Sequence, residues 1–173
     1  MSNTITGISD ASSAILIYKS GLFPVLLKTW DITIAESVFI ELIKPGKPGA
    51  DYFRNIISDN KVTTAYPPLI QENNHALKRM GGGERDTILL FQSGCGNFII
   101  IDDKKGARFC RDTHIPYFNA LLLPKILYLS GMLHHTDYLS ARSIIASTGR
   151  YSQEIRNYAE ECTYNDIKKF LPD

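Results

Sequence analysis

Apolar and polar positions along the chain fall into short runs that alternate between strand-like and helix-like spacing. Ile5 to Ser9 is a strand-like run ending in Asp10. ASSAILIYKSGLFPVLL then sets apolar residues at helical spacing, with a break at Gly21 ahead of Pro24, which predicts a helix and a second short helix. DITIA reads as a short strand. In ESVFIELIKPG, Val38 and Leu42 share one helical stripe, and the prolines and glycines of KPGKPG stop the helix. ADYFRNIIS predicts a brief helix and KVTTA a minor strand, before Pro67 and Pro68 mark a loop ahead of LIQENNHALKRM.

GGGERDTILLFQSG predicts a helix from about Glu84 to Ser93 that Gly94 closes. Phe98 to Ile101 is apolar at every position, as expected of a central strand covered on both faces. DKKGARFCRDTH reads as a helix even though Gly106 costs it roughly 1 kcal/mol relative to alanine. IPYF predicts one more short strand. NALLLPKILYLSGM predicts a strongly apolar helix whose Pro124 sits early, where a missing amide matters least. The rest reads as two helices, about Thr136 to Ser147 and Tyr151 to Phe170, separated by TGR. Strands alternating with helices predict an α/β fold with a mostly parallel sheet. The last helices have no strand partners, so they either pack on one side of the sheet or form a lid. No repeat, heptad pattern or low-complexity linker interrupts this order.

With 173 residues, 44% of them apolar, the chain can bury a core as one domain or one domain with a small appendage. Nineteen basic and eighteen acidic side chains give a net charge of +1, which neither predicts nor excludes a nucleic-acid binder with a local basic rim. No run approaches the roughly eighteen apolar residues of a membrane span, and MSNTITGISD lacks the features of a secretory signal. A cytoplasmic protein with no membrane role is the expectation. Cys95, Cys110 and Cys162 are widely spaced without a CxxC pair, which suits reduced thiols better than a disulfide framework or a zinc site.

The candidate chemistry lies in acids. Asp10 follows the first strand, and Asp102 and Asp103 follow a later one. In open parallel sheets, ligands bind in the crevice beyond the carboxyl ends of the strands, so these acids can converge. Glu41 lies near the end of one predicted helix and Glu84 near the start of another. Carboxylates that meet repel one another unless a cation lies between them. With no histidine or cysteine in motif spacing, an all-oxygen ligand set favours Mg²⁺ or Mn²⁺ over zinc. Metal-dependent phosphoryl hydrolysis is the reaction class that follows. Each acid also has a plainer reading: Asp10 or either member of the later pair as a helix cap, Glu84 as a first-turn acid, and Glu41 as a solvated residue.

Arg108 and Arg111 share one helix and could meet a substrate phosphate or pair with Asp112. Lys104 and Lys105 read as a solvated face, though they border the crevice and could steer a phosphate-bearing substrate. KRMGGGER lacks the pattern of a nucleotide-binding loop. His134 and His135 fall between helices, and His75 and His114 are isolated. The aromatic residues read mostly as core or interface material.

ISDASSAILIYKSG, ITIAESVFIELIKPG, GGGERDTILL, IIIDDKKGARFC and IPYFNALLLPKILYLSGML follow in order across roughly residues 5 to 133. In this combination the chain resembles a PIN domain, and particularly the PIN-like branch of toxin ribonucleases. The resemblance implies a three-layer α/β/α sandwich around a central, mostly parallel sheet, with an acidic Mg²⁺ or Mn²⁺ site that cleaves RNA. It divides the chain into a PIN-like nuclease domain, 1–133, and a C-terminal helical extension, 134–173, packed on the same domain.

By that resemblance Asp10, Glu41, Glu84 and Asp103 are the catalytic acids, and Asp10, Glu84, Asp102 and Asp103 hold the metal. Asp103 takes the place of the family's metal-site acid, and a slip of one position would exchange it with Asp102. Ser12 matches a frequent polar neighbour of the site. Asn119 stands where relatives carry a threonine, serine or acid, and Arg108 and Lys104 are placed toward the substrate. The departures are three successive glycines before Glu84, Gly106 within a helix, and NALL in place of a glycine-containing turn. PIN-like toxins are often held by an antitoxin and often dimerise, so both partners are expected beside the RNA substrate. The competing reading is a PIN-like module that binds RNA or protein with little turnover. A DNA nuclease would share the same chemistry.

Overall fold

Five short strands build the centre of the structure, a computed structural model that describes residues 5–69 and 75–170. They are β1 (Thr6–Ser9), β2 (Asp31–Ala35), β3 (Thr63–Ala65), β4 (Phe98–Ile100) and β5 (Tyr117–Phe118). All pair in parallel, in the order β3-β2-β1-β4-β5. Gly7 is level with Ile32 on one side and Phe98 on the other, and Ser9 is level with Ile100. The order runs outward from β1 in one direction to β3 and in the other to β5. The gap beyond β1 and β4 is therefore the topological switch point, the usual ligand crevice of such sheets.

The helices are α1 (Ala11–Lys19), α2 (Phe23–Thr29), α3 (Glu36–Leu42), α4 (Ala50–Ser58), α5 (His75–Lys78), α6 (Gly82–Gln92) and α7 (Lys104–Asp112). They continue with α8 (Leu123–Leu129), α9 (His135–Thr148), α10 (Gln153–Glu161), α11 (Tyr164–Ile167) and a closing 3₁₀ turn, Lys168–Phe170. Together they flank the sheet as a three-layer α/β/α sandwich with extra helices at the C-terminal end. The expected loop before α5 falls partly on 70–74, outside the described residues.

β4 shows why its sequence is apolar throughout. Phe98 and Ile100 enter the larger core with Ile8, Ile32 and Ile34, whereas Ile99 and Ile101 enter a second core with Leu77, Ile88, Leu89, Cys110 and Ile115. Alternate side chains point to opposite faces of a strand, and both faces here are covered. Gly106 has its reason in the same packing. A Cβ there would collide with Ile101 Cδ1, so the helical cost of glycine is the condition for α7 to lie this close to the end of β4.

The C-terminal helices share the larger core through Ala141, Ile145, Ala159, Cys162, Ile167 and Phe170. The Phe170 ring meets Phe118 and Phe98 edge-on, with centroids 5.0 and 5.8 Å away. The single helix expected from Tyr151 to Phe170 is instead three pieces. Thr163 and Asp166 form a reciprocal capping box that starts α11, a local signal strong enough to interrupt the apolar period. All three cysteines are free. Among the described residues, no helix is long and apolar enough to cross a membrane.

Candidate active site

Asp10 is the first residue beyond β1, and its N–H donates to the Ile100 carbonyl of β4 at 3.1 Å. It caps α1: Oδ1 accepts from the Ser13 N–H at 2.8 Å, and Oδ2 accepts from the exposed Ser12 hydroxyl at 2.9 Å. Aspartate at this position satisfies a helix donor, as the plainer reading of the sequence expected. Yet the residue is only 1% exposed, far more buried than a cap needs to be. Burial, reinforced by the charge of Asp102, pushes its carboxyl up to about 7, against the hydrogen bonds from Ser13 and Ser12.

Asp102 leaves the neighbouring strand end and turns to the same place. Its Oδ2 accepts from Ser13 Oγ at 2.7 Å and from the Ala120 N–H at 2.9 Å. Its Oδ1 accepts from the Tyr151 hydroxyl. Burial pushes the Asp102 carboxyl up as well, opposed by these three donors. Ser13 therefore ties the two acids together, serving Asp10 with its backbone and Asp102 with its side chain. Among the described residues, no lysine, arginine or histidine forms an ion pair with either.

The remaining acids from the sequence stand apart from this pair. Asp103 caps α7, its Oδ2 accepting from the N–H groups of Lys105 and Gly106 at 2.8 and 2.9 Å. Glu84 lies in the first turn of α6, folded back over Gly81, and its Cβ is 3.8 Å from where a Cβ on Gly106 would stand. The starts of α6 and α7 thus abut. Glu41 is paired with Lys47 at 3.0 Å, and its Oε2 is 3.7 Å from the corresponding point on Gly83. Among the described residues, no three His, Cys, Asp or Glu side chains gather closely enough to hold a metal.

Asn119 uses Oδ1 to accept from the Leu122 N–H at 3.1 Å, and this turn presents the Ala120 amide to Asp102. Lys104 and Arg108 are exposed on α7. Arg111 takes the structural alternative and pairs with Asp112 at 3.2 Å. Sequence reasoning missed Ser13, whose only signal is a second hydroxyl one helical turn from Asp10. It also missed Asp86, which is buried on α6 and accepts from Ser37 Oγ at 2.6 Å and Arg85 Nε at 3.0 Å, tying α6 to α3. Tyr151 gave no local signal at all.

The donor set fits a hard divalent ion. Asp10 has one hydrogen bond on each oxygen, and Asp102 Oδ1 has one, so lone pairs on both acids remain unused. Mg²⁺ is typically held by one or two carboxylates together with water and substrate phosphates, without a dedicated protein cage. A buried carboxyl and a half-buried one beyond adjacent strands, both with their ionisation opposed by desolvation, make a place that a cation would stabilise.

A parallel sheet with a buried acid, Asp10, and a half-buried one, Asp102, beyond its switch point defines an α/β protein with paired acids at the carboxyl ends of adjacent strands. The PIN-domain family profile matches residues 6–133, and the chain belongs to that family. No curated protein matches the chain. The matched span ends before α9, so Tyr151 comes from beyond it.

Proposed function

We infer that the chain is a divalent-metal-dependent ribonuclease that hydrolyses phosphodiester bonds. The observation that carries this reading is the burial of Asp10 beside Asp102 at the strand-order switch, with no basic side chain among the described residues ion-paired to either. Membership of the PIN-domain family supports a nuclease role. When bound, Mg²⁺ or Mn²⁺ would neutralise charge on the transferring phosphate and acidify water.

Asp10 and Asp102 would hold the ion, with Ser13 fixing the spacing between them and the Ala120 amide fixing Asp102. Ser12, exposed beside the site, fixes Asp10 Oδ2 through its hydroxyl. Glu84 and Asp103, at the abutting starts of α6 and α7, are the acids left to accept a proton from the attacking water. Lys104 and Arg108 offer exposed positive charge to the polymer backbone. Glu41, paired with Lys47 and beside Gly83 at the start of α6, is the acid left without an assigned step. The ribonuclease would act in the cytoplasm, with an antitoxin or a second copy of the chain as its partner, as the resemblance to toxin ribonucleases implies.

Incubation of the purified chain with RNA in Mn²⁺ or Mg²⁺, beside D10N and D102N, tests the reading. Cleavage that both substitutions abolish supports it, and equal cleavage by the variants contradicts it. A single-stranded DNA arm separates the two polymers. The absence of a third clustered acid among the described residues favours a second reading, an RNA- or protein-binding module with little turnover. Equal RNA affinity with and without divalent ions, and no cleavage, would support that alternative.

A further inference from the structure

The carboxylate of Asp102 is held from three parts of the chain, and one of them lies outside the family-matched span. Ser13 Oγ and the Ala120 N–H occupy Oδ2 at 2.7 and 2.9 Å. Tyr151, in the turn between α9 and α10, donates its hydroxyl to Oδ1 across 49 positions of sequence. A carboxylate offers about four acceptor sites. Three are taken here, so the direction of the remaining one is fixed, and the donor that fixes Oδ1 is Tyr151.

The turn is built to hold that ring. Arg156 donates Nη2 to the Ala146 carbonyl at 2.7 Å and Nε to the Tyr151 carbonyl at 3.3 Å, clamping the backbone on both sides of the turn. Ser152 caps α10 immediately after Tyr151. Gly149 leaves room for the ring: a Cβ there would overlap Tyr151 Cε2 and stand 2.9 Å from Cζ. The Gly149 backbone, at φ −83° and ψ 164°, suits any residue, so an added Cβ is opposed chiefly by this ring and secondarily by the Ile145 carbonyl at 3.1 Å.

We propose that Tyr151 is a positioning residue for the metal site, reaching in from the C-terminal helices to fix the free lone pair of Asp102 toward a divalent ion. This inference rests on the metal-site reading of Asp10 and Asp102. Partners that orient ligating groups typically govern metal affinity by about 10- to 100-fold. Tyr151 thereby makes the C-terminal helices part of the site, and binding of the ion depends on how they are docked.

The test is Mn²⁺ binding to the full chain without RNA, followed by electron paramagnetic resonance, with melting curves to verify folding. Tyr151→Phe keeps the ring and removes the donor, and its affinity is expected to fall by about 10- to 100-fold. Gly149→Ala keeps the hydroxyl but pushes the ring away, and is expected to weaken binding in the same direction. Tyr164→Phe, at a residue 55% exposed, is the unchanged control. In RNA cleavage, Tyr151→Phe should need more Mn²⁺ for half-maximal rate yet recover at saturating Mn²⁺, a split that general loosening of the fold would not produce.

Tyr151→Phe that binds Mn²⁺ as tightly as the parent, or more tightly, overturns the proposal while leaving the metal site standing. Should that variant not fold, unchanged affinity in Gly149→Ala overturns it equally. A parent chain that binds no Mn²⁺, or whose binding D102N leaves intact, removes the metal-site reading and this inference together.

Discussion

Asp10 and Asp102 leave neighbouring parallel strands and meet on one residue. The Ser13 N–H reaches Asp10 at 2.8 Å, and the Ser13 hydroxyl reaches Asp102 at 2.7 Å. The relationship follows from topology. β1 and β4 are adjacent although distant in sequence, and α1 starts directly from the end of β1. Its first turn therefore lies across the crevice mouth, where a single side chain can serve both acids.

Ser13→Ala should destabilise the chain and weaken divalent-ion binding. The backbone donor to Asp10 survives, but Asp102 loses a part-buried hydrogen bond. Hydrogen bonds to charged groups are worth about 1.5–3 kcal/mol, and less if Asp102 is protonated. Denaturant titration in the presence of a chelator gives the stability change, and the same titration with Mn²⁺ should show a larger one.

Stability without divalent ions should depend on pH through Asp10. The folded chain keeps this proton up to about pH 7, whereas the ordinary carboxyl releases it near 3.8. Folding then takes up a proton throughout that window, so stability falls as pH rises through it and levels off above. The full effect is on the order of 4 kcal/mol if Asp10 alone carries it, at about 1.4 kcal/mol per pKa unit. Asp102 contributes with the same sign. Chemical denaturation of the parent and D10N across the window checks this. The parent should lose stability relative to D10N as pH rises.

Gly106→Ala should destabilise although alanine is the better helix former. The propensity gain is about 1 kcal/mol. Forcing a Cβ into Ile101 costs typically about 1–3 kcal/mol, because α7 or β4 has to shift. A lower denaturation midpoint is the expected result, and a raised one would show that the packing there relaxes freely.

Removing the exposed charges of α7 should act on substrate and leave the ion alone. Lys104→Ala and Arg108→Ala should each raise the KM for RNA and flatten its salt dependence. On a single strand the logarithmic slope falls by about 0.7 for each phosphate that the variant no longer neutralises. Mn²⁺ affinity measured without RNA should not change.

Much of this architecture was readable from the chain. The apolar runs of β1, β2 and β4, the break at Gly21 and the KPGKPG stop each carry a local cause, and each appears where the pattern put it. The helix after Cys162 was not legible, because Ala159, Cys162, Ile167 and Phe170 continue an apolar spacing straight across the break. At the site, acids at strand ends were visible as types and positions. Which member of the Asp102–Asp103 pair turns toward Asp10 was not, since the donors that hold Asp102 come from Ala120 and Tyr151. A one-residue choice at the end of a strand is made by these distant partners, and Tyr151 has no motif to announce it.

The most direct measurement is RNA cleavage by the purified chain in Mn²⁺, with the parent, D10N and D102N in parallel and a chelator arm for each. The account predicts cleavage by the parent that the chelator stops and that both substitutions reduce to background. Cleavage by D102N at the parent rate, or a parent chain that leaves RNA intact at every Mn²⁺ concentration, would contradict it.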